Sequence, residues 1–152
     1  MLHWGIVYAA GPFYNMPWIN FSEPEAAVCT SFCRSYVDKA TALSDLTSPL
    51  EKALSNALSQ RVQKPHTVSQ LEFDAWDDAY AHAMRQVNVD FPDNQSVMAL
   101  CVEAMMTRTP WHMWDVKTCL PPKGADTYEA IRLFEYAIGW LFYTSPTPRD
   151  RP

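Results

Sequence analysis

The apolar positions of this chain recur with the period of an α-helix along most of its length. From Pro24 to Leu43 they fall three or four residues apart, which places them on one face of a helix. These positions are Cys29, Phe32, Cys33, Tyr36, Val37, Ala40 and Leu43. The same spacing predicts helices over residues 48–62, 70–91, 95–109 and 126–138, and a shorter helix within the first ten residues.

Capping residues stand where these helices are predicted to begin. A serine, aspartate or asparagine side chain at such a position accepts a hydrogen bond from a free N–H of the first turn. Pro24 and Pro49 lie in first turns, where the missing N–H of proline costs nothing. The predicted caps are Ser22, Ser48, Ser69 and either Asp93 or Asn94.

Two of the helices have apolar faces that predict how they meet the core. The face of the third helix is predicted to consist of Trp76, Ala79, Tyr80, Ala83, Met84 and Val87. The inward face of the fifth helix is predicted to consist of Ala130, Ile131, Phe134, Ala137 and Ile138. No segment alternates apolar and polar residues as a strand does. The predicted fold class is therefore all-α, with antiparallel helix pairs forming either a compact bundle or an α-solenoid segment.

One segment favours the solenoid. Residues 126–138, DTYEAIRLFEYAI, resemble the second helix of a tetratricopeptide repeat, and residues 76–94 resemble the same helix followed by a turn. Residues 2–11 and 95–106 resemble first helices, and residues 24–43 are a weaker match to a second one. The stretches HWGIVYAAGPFYNMPW and FPDNQSVMALCVEAMMTRTPWHMWD resemble a family of tetratricopeptide (TPR) proteins found in bacteria and eukaryotic microbes.

The resemblance implies an irregular TPR-like α-solenoid. Ala40, Ala83 and Ala137 take similar positions near helix ends, but they lie farther apart than the roughly 34 residues of a regular repeat. An additional helix over residues 48–62 and an inserted loop from Thr109 to Gly124 account for the difference. A bulky residue at Ala83 is expected to disturb the close packing of its helix.

The two ends of the chain are expected to differ from the family pattern. Residues 1–139 are predicted to form one TPR-like helical domain that is incomplete at both ends. Residues 140–152 are predicted to be a disordered tail, because their sequence resembles the translated read-through of a sequencing-library adapter. The last helix is then expected to lack a neighbour and to self-associate through Leu133, Tyr136 and Trp140.

Charge and hydropathy narrow the choice of partner. The 17 acidic residues outnumber the 12 lysines and arginines, and no basic run occurs, so nucleic acid is not an expected partner. The apolar opening MLHWGIVYAAG is too short to span a bilayer and lacks a cleavage pattern. We therefore expect a cytoplasmic protein without a membrane partner.

The chemistry of the side chains does not favour catalysis or a cofactor. The histidines at 3, 66, 82 and 112 lack the spacing of metal ligands, and the four glycines form no phosphate-binding loop. Asp74, Asp77 and Asp78 are interpreted as exposed carboxylates near a helix start, where the helix dipole favours them. The cysteines Cys29, Cys33, Cys101 and Cys119 are predicted to be buried reduced thiols. No catalytic residue, metal or cofactor is predicted, and the chain is not expected to be an enzyme.

Aromatic residues in two loops are the remaining candidates for function. Their rings either fold back over helix ends or contact a partner, because rings with a polar group are favoured at binding surfaces. The candidate partner-binding residues are Tyr14, Asn15, Trp18, Trp111, Trp114 and Asp115. The predicted function is a TPR-like scaffold that binds a protein or peptide. The alternative is a supporting part of a larger enzyme or metal-dependent protein, with its active residues in a histidine-containing segment that follows in the family and is missing here.

The tail prediction can be tested by truncation. Deleting residues 141–152 should leave the helicity and the unfolding midpoint nearly unchanged, because a proline-rich tail of this composition adds no packed surface. Circular dichroism and thermal unfolding of the two chains would measure this. A large loss of stability would contradict the prediction.

Overall fold

The computed structural model describes the backbone of residues 1–144 and the side chains of residues 1–139. Over that range the chain forms six α-helices and no β-strand, which confirms the all-α prediction. The helices are α1 (Leu2–Ala10), α2 (Glu23–Ala42), α3 (Pro49–Ser59), α4 (Gln70–Asp90), α5 (Gln95–Thr107) and α6 (Thr127–Thr144). None of these helices combines the length and the apolar character needed to cross a lipid bilayer.

The predicted caps define the helix starts. The Glu51 carboxylate accepts the backbone N–H of Ser48 at 2.9 Å, and the Ser48 hydroxyl accepts the N–H of Glu51 at 3.3 Å. Such a reciprocal pair satisfies two N–H groups that the helix itself leaves free. A second capping box joins Ser22 and Glu25 at the start of α2. Of the two candidates before α5, it is Asn94 that caps, by accepting the N–H of Val97.

Helices that follow one another in the chain pack against one another. Along α1, the ring of His3 lies 5.7 Å from that of Tyr36, while the Cys29 thiol donates to the carbonyl of Ala10 at 3.5 Å. Residues later in α1 therefore lie beside residues earlier in α2, so the two helices are antiparallel. Helix α1 also contacts α3 through the Trp4 indole, which donates to the carbonyl of Leu54 at 3.2 Å.

The buried face of α2 differs from the predicted stripe. Val37 and the two cysteines of the stripe are buried, but Phe32 and Leu43 are exposed. Ala26 and Thr30 complete the inward face instead. The reason is that residues 26, 29, 30, 33 and 37 follow one i, i+3, i+4 row that faces α1 and α3, and Phe32 lies on the neighbouring row.

The inward face of α6 is also narrower than predicted. Ala130 and Ala137 are buried as expected, whereas Ile131 and Phe134 are exposed. Leu133, which was predicted to be exposed, packs against the core. Small residues at 130 and 137 let α6 approach α5 closely, so Leu133 between them turns inward. The predicted self-association surface therefore keeps Tyr136 but not Leu133, and the side chain of Trp140 lies outside the described residues.

Helix α6 continues to Thr144, past residue 139, where the helical domain was predicted to end. Residues 145–152, which form the rest of the predicted tail, lie outside the described residues.

A chain of ion pairs joins α4 to the beginning of α6. Arg108, just after α5, binds Asp78 of α4 at 2.6 Å and also binds Asp126. Arg85 of α4 binds both Asp126 and Glu129, at 2.9 and 2.8 Å. Arg85, Arg108 and Asp126 are partly buried, so the attraction between Asp126 and the two guanidiniums is screened less than that of exposed pairs. The long loop before α6 is thereby fixed at both ends.

Two alanines of α4 differ in burial, and substitutions at them are expected to differ in effect. Ala81 is fully buried, whereas Ala83 is half-buried and lines an open groove between α3 and α4. We expect Ala81→Leu to destabilise the fold by about 1 to 3 kcal/mol, because overpacking displaces neighbouring side chains. Ala83→Leu is the matched control and should change the unfolding midpoint much less. Urea unfolding of both variants measures the difference, and equal losses would contradict the packing of α4.

Candidate functional site

The loop after α1 ends in a tight turn that presents Tyr14 and Asn15. Phe13 and Met16 exchange two backbone hydrogen bonds, of 3.2 and 2.9 Å, which close the turn around them. Trp18 follows in a short 3-10 turn and is only 2% exposed. Its ring stacks on Phe73 of α4 with the centroids 4.2 Å apart. Trp18 therefore anchors the loop in the core and is not available to a partner, whereas Asn15 is exposed at the tip.

The second loop holds Trp111 in a backbone conformation that is unusual for a bulky residue. Trp111 has a φ of 59°, and the N–H of His112 donates to the carbonyl of Thr109 at 3.0 Å. Proline at the second position and positive φ at the third describe a type II turn, whose third position normally holds glycine. A tryptophan there is strained by about 1 to 3 kcal/mol. Its side chain is nevertheless 52% exposed.

Tyr14 and Trp111 meet although they lie in different loops. Their ring centroids are 6.3 Å apart and their planes are inclined at 66°, an edge-to-face arrangement. We call the surface formed by these two rings the aromatic surface. Tyr14 is half-buried and supports the Trp111 ring, about half of which stays exposed.

An open cavity of about 420 Å³ lies beside Trp111. One wall comes from the first loop, through Pro17 and Ile19, and the other from the turn that carries Trp111. The remaining lining residues are Gln70, Asp74, Thr107, Arg108, Thr109, Pro110 and His112. The cavity is thus apolar on two sides and has polar groups between them, which is the usual make-up of a binding pocket.

One carboxylate that lines the cavity has no counter-ion among the described residues. Asp74 is exposed and accepts one hydrogen bond, from the amide of Gln70 at 2.7 Å. The guanidinium of Arg108, which also lines the cavity, is already paired with Asp78 and Asp126. Asp74 is therefore the group of the lining that can attract a cationic side chain.

Trp114 and Asp115 do not join the aromatic surface. The ring of Trp114 packs edge-on against Tyr128 of α6, with centroids 6.2 Å apart, and is 44% exposed. The Asp115 carboxylate accepts the N–H of Lys117 and the hydroxyl of Thr118, both at 2.9 Å. These two bonds, that of Lys117 first, lower the pKa of Asp115. Asp115 therefore stabilises the conformation of its own loop.

A cluster of polar side chains lies in the core and was not predicted from the sequence. Arg61, at the end of α3, is 1% exposed, and Asp77 of α4 is 7% exposed. The interpretation of Asp77 as an exposed carboxylate is therefore wrong. We call the group the Arg61 cluster, and its members are Tyr8, Arg61, Asp77, Tyr80, Glu103 and Thr107.

Arg61 makes one hydrogen bond within the cluster, donating from Nη2 to Oε1 of Glu103 at 3.1 Å. Its guanidinium lies 4.8 Å from the ring centroid of Tyr80 and 5.9 Å from that of Tyr8. Both rings offer their faces to the cation. The hydroxyl of Thr107 donates to the same carboxylate oxygen of Glu103, at 2.9 Å.

The position of Asp77 in the helix was the signal that could have revealed it. Asp77 lies four residues after Phe73 and three before Tyr80, on the same buried row of α4. A carboxyl group on such a row either pairs with a cation or takes up a proton. The sequence shows no local sign that Arg61 lies beside Asp77, because Arg61 comes from the end of α3.

Among the described residues, the cysteines and the other potential metal ligands do not cluster into a metal site. Cys29, Cys33 and Cys101 are buried free thiols, as predicted, whereas Cys119 is exposed, contrary to the prediction. Burial raises the pKa of Cys101 to about 11, which keeps it a thiol. Within the described part of the chain, no three histidine, cysteine, aspartate or glutamate residues are grouped so that they could hold a metal ion.

Comparisons with known proteins find no family model, no curated protein and no solved structure that matches this chain.

The buried ion pair can be tested by removing its cation. We expect Arg61→Met to destabilise the fold by about 3 to 5 kcal/mol, because the carboxylate of Glu103 loses the buried cation with which it pairs. Lys52→Met is the control, since Lys52 pairs with Asp45 at the surface and its loss should leave stability nearly unchanged. Chemical unfolding of both variants measures the effect. Similar small losses would contradict the buried pair.

Proposed function

We propose that this chain is a TPR-like helical scaffold that binds a protein or peptide partner through the aromatic surface and the cavity beside it. The observation that carries the proposal is Trp111, a half-exposed ring held in a strained turn and braced by Tyr14. The role is one of recognition, with no catalysis by this chain.

The order of helix contacts supports the scaffold part of the proposal. Most close helix contacts join elements adjacent in the chain, from α1 to α6. Helix α3 lies against both α2 and α4, the helices before and after it in the chain. Such stepwise packing is what a repeat array requires, since each unit contacts its neighbours.

The contrast between two loop tryptophans supports the recognition part. Trp18 has a structural role, since its ring is buried in the core and stacked on Phe73. Trp111 is instead half-exposed and occupies a turn position where glycine would be unstrained. Strained positions persist where the surroundings hold them, and they are concentrated at functional sites.

The surroundings of Trp111 favour an extended segment with both apolar and cationic side chains. The cavity is large enough for one or two side chains, and its walls of proline, isoleucine and tryptophan suit an apolar one. Asp74 at its rim suits a lysine or arginine. The partner proposed is therefore a short basic segment of a protein, bound in extended form.

Selection from a library of random peptides displayed on phage, followed by affinity measurement, tests the proposal. The purified chain should enrich peptides that combine basic and apolar residues. Trp111→Gly should weaken their binding by at least about 30-fold, as the loss of a central aromatic anchor does. The same change should leave the free energy of unfolding within about 1 kcal/mol, since glycine relieves the strained φ.

Trp114→Gly is the matched control, because Trp114 is a loop tryptophan of similar exposure outside the aromatic surface. It should leave peptide affinity unchanged. Failure to enrich any peptide, or equal affinity of the Trp111→Gly chain and the parent chain, would contradict the proposal.

A further inference from the structure

The Arg61 cluster joins groups from four helices in the core. Arg61 follows α3, Tyr8 belongs to α1, Asp77 and Tyr80 belong to α4, and Glu103 belongs to α5. Nearly all of this polar surface is removed from water, since Arg61, Asp77 and Tyr80 are buried. Buried polar groups are expensive unless they are paired.

The charges of the cluster do not balance if all its members are ionised. One guanidinium faces two carboxylates, and it hydrogen-bonds only that of Glu103. Oδ1 of Asp77 and Oε2 of Glu103 are buried without a hydrogen-bond partner among the described residues. The same is true of Nε and Nη1 of Arg61 and of the Tyr80 hydroxyl. A second buried negative charge is thus not compensated by the groups around it.

The charged groups around Asp77 come from its own helix, from α5 and from the end of α3. Its own helix contributes Asp74 and Asp78, both of which repel a charge on Asp77. Helix α5 contributes Glu103, which also repels it, and the end of α3 contributes the attractive Arg61. Trp18, from the 3-10 turn packed against α4, carries no charge. The remaining nearby titratable groups are Tyr8 and Tyr80, which are neutral at physiological pH.

We propose that the Arg61 cluster is a buried proton-binding site, in which Asp77 carries the proton and through which pH sets the stability of the packing of α4 against α3 and α5. With the proton bound, the cluster has one cation and one anion and is neutral overall. When the proton leaves, the core carries one uncompensated negative charge.

The electrostatics agree with this assignment. Burial, the largest cause, raises the pKa of Asp77 from 3.8 to about 7; Arg61 opposes the rise, and the neighbouring carboxylates add to it. The folded chain then binds this proton more tightly than the unfolded chain, in which Asp77 is an ordinary carboxyl. Between about pH 4 and pH 7 the folded state holds more protons, so stability falls as pH rises through this range and levels off above it.

Urea unfolding between pH 5 and pH 8 tests the proposal with two isosteric variants. In the parent chain, the unfolding equilibrium constant attributable to Asp77 should rise more than about tenfold between pH 5 and pH 7. Asp77→Asn should remove this rise. Asp74→Asn, an exposed carboxylate three residues earlier in the same helix, should retain most of it. Both variants keep all four histidines, so the difference between the variants isolates Asp77.

A direct titration keeps the test decisive if Asp77→Asn fails to fold. The ¹³C carboxyl signals of the parent chain, labelled on aspartate, should include one that titrates near neutral pH, and Asp77→Glu should remove that signal. If all aspartate carboxyls titrate near pH 4, or if the pH dependence of unfolding survives in Asp77→Asn, the proposal is overturned.

Discussion

The buried guanidinium of Arg61 is the constraint on which the arrangement of the helices depends. Removing this cation from water costs several kcal/mol, and Glu103 and the rings of Tyr8 and Tyr80 offset that cost. These compensating groups come from α5, α1 and α4. The charge is therefore accommodated only when three other helices are already in place around the end of α3. A purely apolar core would tolerate small shifts among these helices, whereas this cluster favours one arrangement.

The last turn of α5 links this core to the surface. The Thr107 hydroxyl donates to Glu103 inside the cluster, and the same residue lines the cavity beside Trp111. The next residue, Arg108, pairs with Asp78 of α4 and with Asp126 at the beginning of α6. Both ends of the loop that carries Trp111 are thus anchored to the packed helices. Such rigidity is what holds an exposed, strained ring in place without a bound partner.

Much of the fold could be predicted because its signals are local. The reciprocal caps at Ser22 and Ser48, and the cap at Asn94, involve residues three apart, so the helix starts follow from sequence alone. Which face of a helix turns inward depends on contacts that are less local. Phe32 belongs to an apolar stripe in the sequence pattern, but it is exposed because the position of the neighbouring helices decides which row faces the core.

By itself, then, the sequence determined the fold class, the helix starts and the aromatic composition of the two loops. Only the tertiary structure decided that Trp18 enters the core while Trp111 stays at the surface, and that Tyr14 reaches it. It also decided that Asp77 is buried, beside an arginine from another helix. The physical reason is the range of the interactions. Caps and periodicity act within a turn or two of helix, whereas the energy of a buried charge or a braced ring depends on partners that are distant in the chain.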